Sequence, residues 1–170
     1  MILIVRDLLI LAKFGNDAPE DLPVVDANDI ARSALEIVGC ERVIFHAVEQ
    51  RALFSCEADA VRRALVNLLE NALRHTTACE MVALSCQTAE KYVRFIVEDT
   101  GEGIPPEDVA RVFDRFYQVD RSRSRDHGGT GLGLAVVKSI VEHHKGTIDM
   151  TSEHGKGTTV ALSFPKFDAL

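Results

Sequence analysis

Residues 59–76, DAVRRALVNLLENALRHT, decide how the rest of the chain is read. Val61, Leu65, Leu68, Leu69 and Ala72 recur at helical spacing and predict a helix with one buried face. Arg63, Asn67, Asn71 and Arg74 fall at i, i+4, i+8 and i+11 and form a second, polar stripe. Asparagine is a mediocre helix former, because its amide competes for backbone hydrogen bonds. A carboxamide oxygen is a hard ligand suited to Mg²⁺, and an arginine suits a phosphate. Two readings stay open at this point, a solvated polar face and a ligand-holding stripe.

Downstream of that helix, residues 81–87 and 92–98 alternate as two strands across a polar turn. They lead into DTGEGIP, residues 99–105. A carboxylate at a strand end, Asp99, can accept from an exocyclic amine such as that of adenine. Gly101 and Gly103 would let the backbone turn sharply and a flat ligand come close, although an ordinary Asp-Thr-Gly turn reads the same way. Residues 106–113 predict a short helix, and 117–131 a polar loop without apolar period. That loop, with Arg115 just before it, carries Arg121, Arg123 and Arg125 among aspartates. It is either a self-neutralising solvated loop or a lid that closes on a triphosphate, with Phe113, Phe116 and Tyr117 packing its base. GGTGLG, residues 128–133, then opens an amphipathic helix over 132–144. Free N–H groups at a helix start form an anion site. The stretch fits neither the P-loop nor the dinucleotide fingerprint, since no GxxxxGK[ST] exists and Val136 stands where a third glycine is required. Residues 147–152 and 158–164 predict a closing hairpin around EHGKG.

Upstream, residues 1–14 read as a helix apolar nearly all round, with one seam through Ile2, Val5, Leu9 and Ala12 and another through Ile4, Leu8 and Leu11. GNDAPEDLP supplies a linker over 15–23 and the domain proper spans 24–170. A short strand near 23–25 precedes a helix to about residue 38, capped by Asp26 or Asn28. Residues 42–48 and 52–56 read as a β pair joined by a tight turn at 49–51. The pattern predicts an α+β fold, a two-layer sandwich with helices on one face of a mixed, mostly antiparallel sheet, plus the short N-terminal helix.

A chain of 170 residues, 46% hydrophobic, can bury one good core. A net charge of −7 and a pI near 5.3 argue against nucleic acid as a partner. Any polyphosphate site must therefore concentrate its cations locally, where opposite charges about 4 Å apart gain roughly 4 kcal/mol at an effective dielectric near 20. Cys40, Cys56, Cys79 and Cys86 have no zinc spacing and read as reduced, half-buried residues of a cytoplasmic protein. No apolar run reaches the length of a membrane span. His46 reads as structural, and His143 and His144 as helix-end residues.

Taken together and in order, these motifs resemble the catalytic ATP-binding domain of bacterial two-component sensor histidine kinases, within the superfamily shared with gyrase B, heat-shock chaperone and mismatch-repair ATPases. NLLENALRHT (67–76) is similar to the asparagine box, DTGEGIP (99–105) and GGTGLGL (128–134) to the two glycine boxes, FDRFYQ (113–118) to the phenylalanine box and GKGTTV (155–160) to the terminal hairpin. The resemblance implies a Bergerat-type sandwich with ATP and Mg²⁺ as cofactors. Asn71 would hold the metal with Asn67 in support, Arg74 would reach the β- and γ-phosphates, and His75 would flank the nucleoside. Asp99 would accept the adenine amine in a pocket shaped by Gly101, Gly103 and Ile104, with Thr158 beside it. Gly129, Thr130, Gly131, Leu132 and Gly133 would cradle phosphates. Gln118 stands where the family often has a basic residue, so the γ-phosphate contact passes to Arg115 or Arg121. Asn67 stands where hydrolytic members carry Glu, and an amide cannot act as a general base. The resemblance thus implies transfer to a histidine of a separate dimerisation domain and onward to a response regulator. Residues 1–14 resemble the tail of that dimerisation helix pair, in a parent that is a homodimer and often membrane-tethered. No histidine precedes His46 to serve as acceptor. A hydrolytic ATPase and a nucleotide-sensing module without transfer are the alternatives.

Overall fold

The computed structural model describes residues 2–14, 21–119 and 130–167. In chain order the elements are α1 (Ile2–Lys13), β1 (Val24–Asp26), α2 (Ala27–Val38), β2 (Val43–His46), β3 (Leu53–Ser55), α3 (Ala58–Arg74), β4 (Val82–Thr88), β5 (Tyr92–Asp99), α4 (Pro106–Val109), α5 (Gly133–His143), β6 (Thr147–Glu153) and β7 (Gly157–Pro165). Five strands form the main sheet in the order β2-β4-β5-β7-β6, with only the β2–β4 pairing parallel. Helices α2, α3 and α5 cover one face, as an α+β two-layer sandwich requires.

Period-two alternation in the strands explains which face is covered. In register across the sheet, Cys86, Phe95, Leu162 and Ile148 form one row on the helix side, and Leu84, Val97, Val160 and Met150 form the next. Phe54, Phe95 and Phe164 close the far end of this core with ring centroids 5.2–6.0 Å apart. Each such fully buried side chain contributes about 1.5–3 kcal/mol. Val61, Leu65, Leu69 and Ala72 present the buried face of α3 to it.

Local signals set the ends of α2. The Asp26 carboxylate accepts from the Asn28 N–H at 3.0 Å, and Gly39, at φ 60°, ends the helix with its N–H on the Leu35 carbonyl.

Two expectations are corrected. Residues 42–48 and 52–56 do not pair with each other: β2 runs parallel to β4, and β3 pairs antiparallel with β1 in a separate two-stranded sheet. The Asn28 side chain accounts for part of the divergence, donating to the Val48 carbonyl at 2.9 Å and accepting from its N–H at 3.2 Å. It takes the backbone groups a hairpin partner would have used. The helix expected over 106–113 stops at Val109, and turns follow. His143 and His144 stand at the end of α5, as expected, and both are buried, with Phe14 meeting the His143 ring edge-on at 4.7 Å.

Isolated helices as short as α1 are marginal in water, so α1 depends on docking. Its Leu11 and the Phe14 that follows it are buried against the domain, while Val5, Leu8 and Leu9 remain exposed. The linker expected over 15–23 falls largely outside the described residues, as does most of the loop expected over 117–131.

Of the cysteines, Cys56 and Cys86 are buried, which pushes both thiols up to about 12 and leaves them unreactive. Cys79 is exposed rather than half-buried.

Candidate nucleotide site

The helix-side face of the sheet ends in a polar row. After the apolar rows described above, the same parity and register bring together Val82, Asp99, Thr158 and Ser152. Asp99 thus sits at the lip of the core rather than in open solvent. Burial raises its pKa, and the backbone N–H groups of Gly101 and Thr158 pull it back toward the ionised form. The Gly101 N–H donates to Asp99 Oδ1 at 2.9 Å, which fixes the carboxylate plane.

The loop after Asp99 is pressed onto two neighbours. A Cβ on Gly101 would lie 2.2 Å from the His75 carbonyl oxygen, and one on Gly103, at φ 65°, would lie 2.1 Å from that of Glu153. These glycines serve close backbone packing against the end of α3 and the β6–β7 hairpin. Approach of a flat ligand is not needed to explain them. Gly157, at φ 120°, is equally constrained, since its Cβ would fall 2.0 Å from the Asp99 carbonyl oxygen.

Helix α3 ends directly over this loop. His75 caps its C-terminus, and the His75 Nδ1 lies 2.7 Å from Glu102 Oε1. Glu102 also donates its N–H to the His75 carbonyl and accepts from the Gly155 N–H, joining α3, the loop and the hairpin. On the polar stripe, Asn71 is half-buried and Arg74 exposed, and neither side chain bonds another described residue. Asn67 donates to the Gly133 carbonyl at 3.2 Å, which ties the stripe to the start of α5. Arg63 leaves the stripe altogether and pairs with Asp7 of α1 at 2.9 Å.

Helix α5 starts without a side-chain cap, Leu132 being the residue before its first turn. Among the described residues no side chain caps its first N–H groups, the kind of donors that can meet an anion. Thr130 Oγ1 accepts from the Leu132 N–H at 3.3 Å. Leu132 itself is fully buried, so its side chain belongs to the core and only its backbone faces the site. Gly131, at φ 68°, packs against Phe116 so closely that a Cβ would lie 2.7 Å from its carbonyl carbon.

Phe116 is 58% exposed and does not pack the loop base as expected. It takes the left-handed conformation, φ 62°, because its N–H bonds the Gly131 carbonyl at 2.8 Å. Tyr117 donates to Asp108 and stacks under the Arg111 guanidinium at 4.4 Å. Arg115 is exposed and has no described ion-pair partner. Arg121 and Gly129 lie outside the described residues. His46 is exposed on the edge strand β2.

Sequence reasoning missed Ser152, Glu102 and Gly157. Ser152 was within reach, because it shares the inward parity of Ile148 and Met150 in β6. No local pattern marks Glu102, whose bonds to His75 and Gly155 exist only once the loop, helix and hairpin meet.

A family profile described as histidine kinase-, DNA gyrase B- and HSP90-like ATPase matches residues 56–168. The chain belongs to this ATPase family. Among similar proteins of the family, the sensor histidine kinase CusS of Escherichia coli K12 is 40% identical over 166 residues, 95% of this chain and 34% of CusS. The sensor protein SrrB of Staphylococcus aureus NCTC 8325 is 44% identical over 117 residues, 69% of this chain and 20% of SrrB. The chain therefore spans about a third or less of these relatives. Among solved structures, the mycobacterial sensor histidine kinase MprB aligns with TM-score 0.73 at 25% identity, covering 86% of this chain and 98% of that one. Full-length ShkA, solved with AMPPNP, aligns with TM-score 0.77 at 28% identity, covering 97% of this chain and 35% of ShkA. As in these ATPase-family relatives, the sheet is mixed and mostly antiparallel.

Proposed function

We propose that the chain is the catalytic domain of a sensor histidine kinase, holding MgATP so that a histidine of a separate helical domain attacks the γ-phosphorus. The observation that carries this reading is the convergence of three features. Asn71 and Arg74 lack described partners, the start of α5 is uncapped, and the Asp99 carboxylate lies at the core's edge. Each suits a different part of one ligand: metal and phosphates, phosphate oxygens, and the adenine amine.

In this reading Asn71 would hold Mg²⁺ through its carboxamide oxygen, and the ion would offset phosphate charge. Arg74 neutralises β- and γ-phosphate charge, and Arg115 and Arg121 approach from the loop. Gly129, Gly131 and Gly133 let phosphates near the backbone, His75 flanks the nucleoside, and Gly101, Gly103 and Ile104 wall the base. Catalysis consists of positioning and charge stabilisation. Hydrolysis is disfavoured because Asn67 supplies no base and donates to Gly133, while Glu70 faces solvent. In the parent protein, residues 1–14 continue the dimerisation helices and the phosphate passes on to a response regulator.

Labelled ATP supplied with a separate dimerisation domain tests the reading. Acid-labile label on that domain's histidine is the expected result. Steady phosphate release without transfer would favour an ATPase, and binding without either would favour a sensing module.

A further inference from the structure

Ser152 stands at the end of the polar row, beyond Thr158, and neither composition nor motif marks it. Its hydroxyl has three partners: the Ile104 N–H at 2.8 Å, the Gly157 carbonyl at 3.1 Å and the Thr158 hydroxyl at 2.8 Å. A hydroxyl carries one proton and two acceptor lone pairs. The Ile104 amide can only donate, so it fills one lone pair. The Gly157 carbonyl can only accept, so it takes the one proton. The arrangement is complete only if the Thr158 hydroxyl donates into the second lone pair.

That direction has a consequence for Thr158. With its proton held by Ser152, its oxygen can only accept from a ligand group that meets it. Thr158 lies beside Asp99 in the strand register, so two acceptors stand side by side at the lip of the core. An exocyclic amine brings two protons to such a pair, whereas a carbonyl at the same position of a purine brings lone pairs. Ser152 makes no contact that would itself require a ligand, and its effect runs entirely through the neighbouring hydroxyl.

We infer that Ser152 is a positioning residue for base selection, locking the Thr158 hydroxyl as an acceptor so that the site takes a 6-aminopurine nucleotide and rejects a 6-oxopurine one. The inference rests on the proposed placement of the purine against Asp99. Without Ser152, the Thr158 hydroxyl turns freely and can donate to a 6-oxo group, which removes the penalty against it. A site that hydrogen-bonds one group rejects an analogue because polar partners are left unmatched, and a rotatable partner relieves that mismatch.

The test compares ATP and inosine triphosphate binding by calorimetry on the full chain, as wild type and as Ser152→Ala, Ser152→Thr and Thr158→Val. Ser152→Ala is expected to lower the ATP-to-ITP affinity ratio by about tenfold, with Ser152→Thr restoring it. Thr158→Val is expected to lower the ratio similarly, and adding Ser152→Ala to it should change nothing further. A purely structural role for Ser152 predicts equal losses for both nucleotides and an unchanged ratio, which overturns the inference. Should Ser152→Ala fail to fold, the Thr158→Val ratio decides alone, and an unchanged value there also overturns it. Wild-type protein that binds neither nucleotide refutes the nucleotide reading itself. Wild-type protein that binds both equally refutes only the selection proposed here.

Discussion

Along the first half of α3, the charged side chains meet opposite charges: Arg62 meets Asp59 at 2.6 Å and Arg63 meets Asp7 at 2.9 Å, while Glu57, just before the helix, meets Lys13. Along the last turns of the same helix, the Asn71 and Arg74 side chains form no hydrogen bond or ion pair with another described residue. Both halves present polar residues at helical spacing, and sequence alone gives them one stripe. The difference is what stands opposite. At the first half, α1 supplies Asp7 to Arg63 and Lys13 to Glu57, and Asp59 of α3 itself meets Arg62. The last half meets the start of α5 through the Asn67–Gly133 bond and ends against the loop after Asp99, and in the proposed reading a nucleotide supplies the missing partners.

The largest effect should come from breaking the covered half. Asp7 is 5% exposed, so Arg63→Ala strands a carboxylate under α1. Loss of one partner of a buried pair costs about 3–5 kcal/mol. That cost should appear as lost amide-exchange protection across α1, with ATP affinity unchanged. Protection that survives the substitution would mean that Leu11 and Phe14 alone hold the helix.

The open half should respond in the opposite way. Asn71→Ala and Arg74→Ala remove no described side-chain hydrogen bond or ion pair, so the ligand-free unfolding free energy should stay within about 0.5 kcal/mol of wild type. MgATP affinity should fall by about 1.5–3 kcal/mol for each, the range for hydrogen bonds to charged groups. For Asn71→Ala the Mg²⁺ dependence of binding should flatten as well. Thermal melts with and without MgATP separate the two effects. A variant that loses stability without nucleotide, or keeps full affinity with it, would erase the contrast between the halves.

The same contrast marks how far the sequence could be read. The face of α3, the β4–β5 and β6–β7 hairpins and the cap at Asp26 are local, carried by periodicity and by residues a few positions apart. The pairing of β2 with β4 was not legible, because alternation shows that a strand has a covered face but not which strand lies beside it. Arg63 was visible as part of a stripe, yet its partner Asp7 lies 56 positions earlier, and only docking of α1 separates it from Asn71. Asp99 was legible as an acceptor at a strand end. Its glycines were legible as well, but the reason for them was not, since His75 and Glu153 become neighbours only in the closed fold.

The covered end also holds the group with the smallest predicted effect, His144. Its Nε2 accepts from the Glu57 N–H at 3.0 Å, so that nitrogen carries no proton, and Nδ1 lies 2.7 Å from the Ile140 carbonyl and must donate to it. The ring is therefore held neutral in a single tautomer. Burial lowers its pKa below 6.5 and outweighs the opposing bond to Ile140, with His143 and Lys13 adding to the lowering and Glu57 resisting it. A depressed histidine pKa means that the unfolded chain binds the proton first as pH falls. The contribution of His144 is then fully present above about pH 6.5 and is lost as pH drops below it, by at most about 1.4 kcal/mol per pH unit. Amide exchange of α1 and thermal melts between pH 7.5 and 5.5 should both report that loss. In His144→Gln the carboxamide oxygen can still accept from Glu57, but no proton is taken up there, so the slope attributable to this window should vanish. An unaltered slope in that variant would separate the acid sensitivity from the Glu57–His144–Ile140 bonds and would leave His144 as a packing residue.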